Sequence, residues 1–234
     1  MNMGIIAGSI LRASPFNTSA FVIEVDSTES GTSNNDQFQF TGAQGEYDVV
    51  AKQNGTQVAT FNDLSDEATI TFASAGIYDL EVIPKSSNGF NKIRFDNDGD
   101  RRKVINLKQW GDVVWSSFNA AFFGCSNMLT TANDIPNLSS VTNMFGMFFN
   151  ASSANPDTSN WDVSSVTDMS FMFISASGLS EENLTLIYEN WSQLNLQQNV
   201  SFSAGTTKYN ASGQAGRDIL VNTYNWIITD GSQV

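Results

Sequence analysis

Histidine is absent from all 234 residues. That removes the commonest general base and the commonest transition-metal ligand, so Ser-His, Cys-His and zinc-His sites are excluded. Cysteine occurs once, and the lone Cys125 cannot close an internal disulfide; it reads as a small buried hydrophobe rather than a nucleophile. Positive charge is scarce: 11 Lys and Arg stand against 24 Asp and Glu, a net charge of -13. Such a chain repels nucleic-acid phosphates and anionic lipid, so neither nucleic acid nor a membrane is expected as a partner. No stretch approaches the roughly 18 apolar residues that a membrane span needs. No basic residue precedes the apolar patch at residues 4–10, which makes the start a poor secretory signal, and export by an ordinary signal is not expected.

What is present is core material. Hydrophobic residues make up 41% of the chain and aromatics 12%, with seventeen Phe, so a folded protein is expected. The length suits two modules. Residues 1–20 read as an N-terminal arm, a short apolar run followed by Ser14-Pro15 and Asn17-Thr18-Ser19. Ile5, Ile6, Ile10 and Leu11 are too few to form a core of their own, so they are expected to be buried only against an assembly partner.

From Phe21 to Pro84 the pattern alternates with a period of two. FVIEV (21–25), QFQF (37–40), EYDVVAK (46–52), QVATF (57–61), ATITF (68–72) and IYDLEVI (77–83) are separated by Ser, Gly, Asn and Asp clusters. This spacing predicts a β-sandwich over residues 21–86. Asn54-Gly55 supplies the positive φ values of a tight hairpin turn. The segment TFASAGIYDLEV (71–82) resembles the last hairpin of a PKD-type immunoglobulin-like domain. Of that family's Trp-Gly-Asp-Gly-Thr signature, only Gly55-Thr56 is present here.

Beyond Pro84 the chain repeats itself. SSVTNMFGMFFNAS (139–152) is followed by SSVTDMSFMFISAS (164–177), an offset of 25, with Val141/Val166, Met144/Met169, Met147/Met172 and Phe148/Phe173 at matched places. SSFNAAFFGCS (116–126) is a weaker, earlier copy. One copy cannot bury its own apolar face, so stacking into shared ladders is expected. The phrases SNWDVSSVTDMSFMF (159–173), DIPNLSSVTNMFGMF (134–148) and QWGDVVWSSFNAAFFGCSNM (109–128) resemble the BspA-type leucine-rich repeat proteins of bacterial surfaces and phage genomes. The resemblance implies a short leucine-rich-repeat solenoid with a helical C-terminal cap over residues 87–234. The fold expected is therefore mainly β with some α, a β-sandwich followed by that solenoid. The end fits a cap: Ser180 is a candidate N-cap, and Leu184, Ile187, Trp191 and Leu194 form a helical stripe. SFSAGTTKY (201–209) reads as strand and turn, Ala215, Ile219 and Leu220 as a shorter helical stripe, and NWIITDG (225–231) as a strand.

Few residues suggest chemistry. Asp96, Asp98 and Asp100 in FDNDGDRRK alternate as oxygen ligands do in calcium loops, yet an EF-hand frame would need Gly and Glu where Arg101 and Leu107 stand. A solvated turn is the preferred reading. Asp112, Asp157, Asp162 and Asp168 offer no pair that spacing singles out for glycoside hydrolysis. Asp162 and Asp168 are expected to cap turns through side-chain hydrogen bonds. Trp161 recurs in the family phrase and is expected in the core, while Trp110 and Trp115 are candidates for outward contacts with a protein or sugar.

These features predict no enzyme and no cofactor. They predict a structural or display protein of a phage particle, a capsid decoration, head fibre or tail-associated component. Its arm and β-domain would dock on capsid or tail proteins, and its repeat would face a host-surface glycan or protein. A homo-oligomer follows from the same resemblance, and a bacterial cell-surface adhesin is the alternative.

Overall fold

The computed structural model describes residues 16–86 and 89–234. The arm positions Ile5, Ile6, Ile10 and Leu11 lie outside the described residues.

All six strands expected from alternation form: β1 (Phe21–Asp26), β2 (Gln37–Gln39), β3 (Glu46–Gln53), β4 (Thr56–Ser65), β5 (Thr69–Thr71) and β6 (Ile77–Pro84). Asn54 and Gly55 both take positive φ, 49° and 77°, and close the β3–β4 hairpin. Two further strands follow, β7 (Val104–Gln109) and β8 (Leu129–Thr130). They join the N-terminal strands in one open sheet of order β4-β3-β6-β1-β7-β8, antiparallel except for the β7–β8 pair. The small antiparallel β2–β5 sheet lies across Phe38, Phe40, Tyr47, Ile70 and Phe72, all buried, in a sandwich-like arrangement.

The leucine-rich-repeat solenoid does not form. From Thr131 to Ser180 no strand or helix is present, only turns and isolated bridges such as Asn143 with Asp168. The physical cause is a left-handed residue at two matched places in each copy. Ala120, Gly146 and Phe171 have φ of 51°, 58° and 60°, and Gly124, Asn150 and Ser175 have 80°, 56° and 56°. A strand cannot run through such positions. Asx-type turns complete the pattern: Asp162 accepts from the Ser164 N–H (3.1 Å) and Asp168 from the Ser170 N–H (2.9 Å), in the capping role expected of them.

The copies nevertheless stack, through backbone hydrogen bonds that run from each copy to the next. Phe118, Ala120, Phe122 and Gly124 donate to the carbonyls of Asn143, Phe145, Met147 and Phe149; Met144, Gly146, Phe148 and Asn150 donate in turn to Asp168, Ser170, Met172 and Ile174. Phe122, Phe148 and Phe173 form the buried ladder, with centroid spacings of 5.7 and 5.4 Å and rings within 15° of parallel. Both ends of the stack are met by chain of unlike sequence. Phe95, Asp96 and Asn97 donate to Ala121, Ala120 and Phe123 at the front. At the back, Met169 and Phe173 donate to Ser201 and Ser203 of β9 (Ser201–Ser203), which pairs in parallel with β10 (Ile227–Thr229).

Two short helices cover this end. In α1 (Glu181–Trp191) the Ser180 hydroxyl accepts from the Asn183 N–H at 3.2 Å, Glu181 and Glu182 complement the helix N-terminus, and Leu184, Ile187 and Trp191 are buried. In α2 (Gln214–Asn222) Leu220 is buried as expected, but Ala215 and Ile219 face outward. The contact face is set by Gly216 instead, where a Cβ would sit 2.1 Å from the Tyr188 carbonyl oxygen, so α2 crosses α1 at backbone distance.

Candidate functional site

Trp110 and Trp115 do not face outward: they are 2% and 0% exposed. Both join an aromatic cluster where the sheet meets the first copy. Trp115 lies edge-on to Phe21 (5.0 Å) and close to Phe118 (5.0 Å), and Trp110 lies edge-on to Trp161 (5.3 Å). Burial of three indoles against both the sheet and the repeat outweighs any value they would have on the surface. Trp161 is in the core as expected.

The side chains of Asp96, Asp98 and Asp100, the weak calcium candidates, do not converge, and the solvated turn preferred for them is corrected at Asp100. Asp96 pairs with Arg94 at 2.6 Å, and exposed Asp98 accepts from its neighbour, the Gly99 N–H (2.8 Å). Asp100 is fully buried. It accepts from the backbone N–H groups of Thr32 (2.9 Å), Ser33 (3.0 Å) and Gln39 (2.7 Å) and from the Ser33 hydroxyl. Buried Lys103 stands 3.9 Å away and donates to the Ser33, Asn34 and Gln37 carbonyls, so burial lowers its pKa while Asp100 opposes the shift. The alternating Asp pattern thus includes a structural anchor, which pins residues 32–39 to the start of the repeat region.

A groove of about 420 Å³ lies between Trp161 and the end of α1. The sole carboxylate in its lining, Asp162, is engaged in its turn. Asp157 is also spent on a turn, accepting from the Ser159 N–H and hydroxyl.

The outer side of the stack carries a different feature. Phe123 and Phe149 stack face to face at 4.5 Å and 8°; Phe149 lies 6.2 Å from Phe171, and Phe145 lies 5.3 Å from it. The first two and Phe145 are half-buried, and Phe171 is 48% exposed. Beyond Phe171 the stripe opens into a groove of about 320 Å³, walled by Ile174, Phe202 and Ile227 with Ser170 and Thr229 at its rim. Ile227 is 66% exposed. Four rings and two isoleucines thus form a continuous aromatic and aliphatic strip along the copies.

These phenylalanines were not distinguishable from the core set by type, since the copies read as a Met and Phe ladder throughout. For Phe171 and Phe145 a signal is present in the mismatch between copies, whereas Phe123 and Phe149 share one matched place and carry no such mark. Phe171 stands where the other copies have Gly146 and Ala120, and Phe145 where they have Asn119 and Ser170, whereas the buried ladder keeps Phe at every level. The left-handed backbone at 171 turns the ring outward.

Residues 85–215 match a family described as Mycoplasma protein of unknown function, DUF285. The chain belongs to this family. DUF285 proteins are associated with BspA-like surface repeat proteins, so the repeat resemblance holds at that level. The DUF285 match spans all three copies, α1 and β9, hence the four rings of the strip and Ile174, and leaves β1 to β6 and the Ile227 end of the groove outside it. No curated protein and no solved structure matches the chain.

Proposed function

We propose that this chain is a non-enzymatic display protein whose repeat region holds a surface partner through the aromatic strip. The observation that carries the reading is the outward ring series Phe123, Phe149, Phe145 and Phe171 running into the Ile227 groove. Exposed apolar surface that is contiguous rather than scattered marks interaction sites in soluble proteins. The rings are held by stacking on one another and by the rigid ladder beneath, so little ordering opposes binding. Association of the family with surface repeat proteins supports a setting at the bacterial cell surface.

The test uses Phe171→Gly. Glycine relieves a left-handed Phe, worth about 1–2 kcal/mol, and loses two ring pairs, with Phe145 and Phe149, worth about 0.5–1.5 kcal/mol each, so stability should stay within about 2 kcal/mol. The variant and the parent, each fluorescently labelled, are titrated onto fixed cells of the producing bacterium and of co-resident species. A saturable signal that weakens at least about fivefold in the variant is expected, given that an exposed aromatic contact contributes about 1 kcal/mol or more. Equal binding by both proteins would overturn the assignment of the strip. Immunogold label on phage particles instead of cell envelopes would place display on a virion, with residues 1–86 as the docking side.

A further inference from the structure

In this acidic chain, cations are mostly spoken for. Lys52, Lys85, Arg94, Lys103, Lys108 and Arg217 each stand beside a carboxylate. Arg101 and Arg102 do not, among the described residues, and they are adjacent. Together they line a pocket of about 230 Å³ with Ser30, Gly31, Thr32 and Gly99. Arg102 is exposed and Arg101 half-buried.

The pocket is built rather than incidental. Asp100 holds the Thr32 and Ser33 backbone from below, and Gly31 passes so close that a Cβ there would lie 2.3 Å from its carboxylate oxygen. The Arg101 side chain lies against Gly124, where a Cβ would be 2.6 Å from its Cδ, and Gly124 follows Phe123 at the end of the aromatic strip. Arg102 Nη1 reaches the Ser30 hydroxyl at 3.4 Å, leaving that hydroxyl its own proton to donate. Asp100 itself is occupied by its amide donors and Lys103, so it does not neutralise the guanidinium pair in the mouth.

We propose that the pocket formed by Arg101, Arg102, Ser30 and Thr32 binds the carboxylate of an acidic sugar. Two guanidinium groups supply planar forks that match a carboxylate, and hydroxyls with glycine backbone suit sugar hydroxyls better than an apolar side chain. The net charge of -13 selects against densely charged polyanions, and favours an isolated acid on an otherwise neutral saccharide. The volume is below the about 300 Å³ where small-molecule sites usually begin, so one sugar ring rather than a chain enters. The inference rests on the reading of the chain as a surface-binding protein and names the ligand class at the end of the strip.

The experiment titrates the full chain with sodium glucuronate, glucose and sodium sulfate at low salt, followed by amide chemical shifts. Saturation by glucuronate in the millimolar range is expected, no response to glucose, and a loss of at least about tenfold in the R101Q/R102Q protein, since charged hydrogen bonds are removed. The thermal midpoint of the double variant should match the parent. Absence of saturation, or unchanged affinity in the variant, overturns the proposal; sulfate binding as tightly as glucuronate overturns the assignment to a sugar. Phe171→Gly should leave glucuronate affinity intact, so failure of the strip and failure of this pocket are read separately.

Discussion

Replacing Asp100 by Asn removes one charge and no volume, which makes it a sharp test of the buried anchor. One carboxylate oxygen receives the Thr32 and Ser33 N–H groups, and the other the Gln39 N–H and the Ser33 hydroxyl. An Asn amide can keep one of these oxygens but turns an NH₂ toward the other set, so at least one backbone N–H loses its acceptor. An orphaned buried donor costs about 1–3 kcal/mol. Lys103, also fully buried, loses its counter-ion but keeps its three carbonyls, which places the loss at the lower part of the about 3–5 kcal/mol seen when one partner of a buried pair is removed. The two effects overlap, and about 3–5 kcal/mol is expected in total, roughly a fifth or more of the about 5–15 kcal/mol stability of an ordinary domain. Urea unfolding followed by tryptophan emission measures it, with Asp98→Asn as control, since Asp98 is exposed and should shift stability by less than about 0.5 kcal/mol. A D100N loss below about 1 kcal/mol would refute the view of Asp100 as an anchor.

Phe148→Ala removes the middle ring of the buried ladder, between Phe122 and Phe173, and should cost about 3–5 kcal/mol in the same urea assay; a cost like that of Phe171→Gly would mean that the ladder does not hold the copies together. Burial raises the phenol pKa of Tyr47 and of Tyr188, and the carboxylate of Asp230 adds to the shift at Tyr188. A folded pKa above the unfolded value gives stability that is whole below about pH 10 and lost as pH climbs through the folded values. Urea midpoints should therefore fall steadily from pH 10 to 11.5, and a flat profile there would contradict the burial of these hydroxyls.

Local signals made much of this molecule readable. Alternation located β1 to β6, Asn54-Gly55 located the hairpin, and Ser180 with the Leu184, Ile187 and Trp191 stripe located α1. Repeat spacing located the stacking of Phe148 on Phe173. What stayed hidden depends on contacts distant in sequence or on backbone sign. Strand β7 finds its partner β1 some eighty residues away, so nothing local announces that the repeat region extends the N-terminal sheet. The left-handed φ at Ala120, Phe171 and Ser175 falls on residues with no preference for it, which is why a strand-lined solenoid was expected and a chain of turns is found. The candidate site was the least legible part. Tryptophan drew attention to Trp110 and Trp115, which are core, and the outward rings share their residue type with the ladder beneath them.

Because the backbone donors of each copy meet the carbonyls of its successor, every copy offers the same plug on one side and the same socket on the other. The front segment around Phe95 and the closing strand β9 meet that plug and socket through backbone groups, which carry no record of the number of copies between them. Array length is therefore free to vary by whole units: a 25-residue insertion at the Ser152–Ala176 period would move the two ends apart without altering either. Each added unit would lengthen the outward strip by one rung, so reach and avidity could change during descent while the folding rules stay the same.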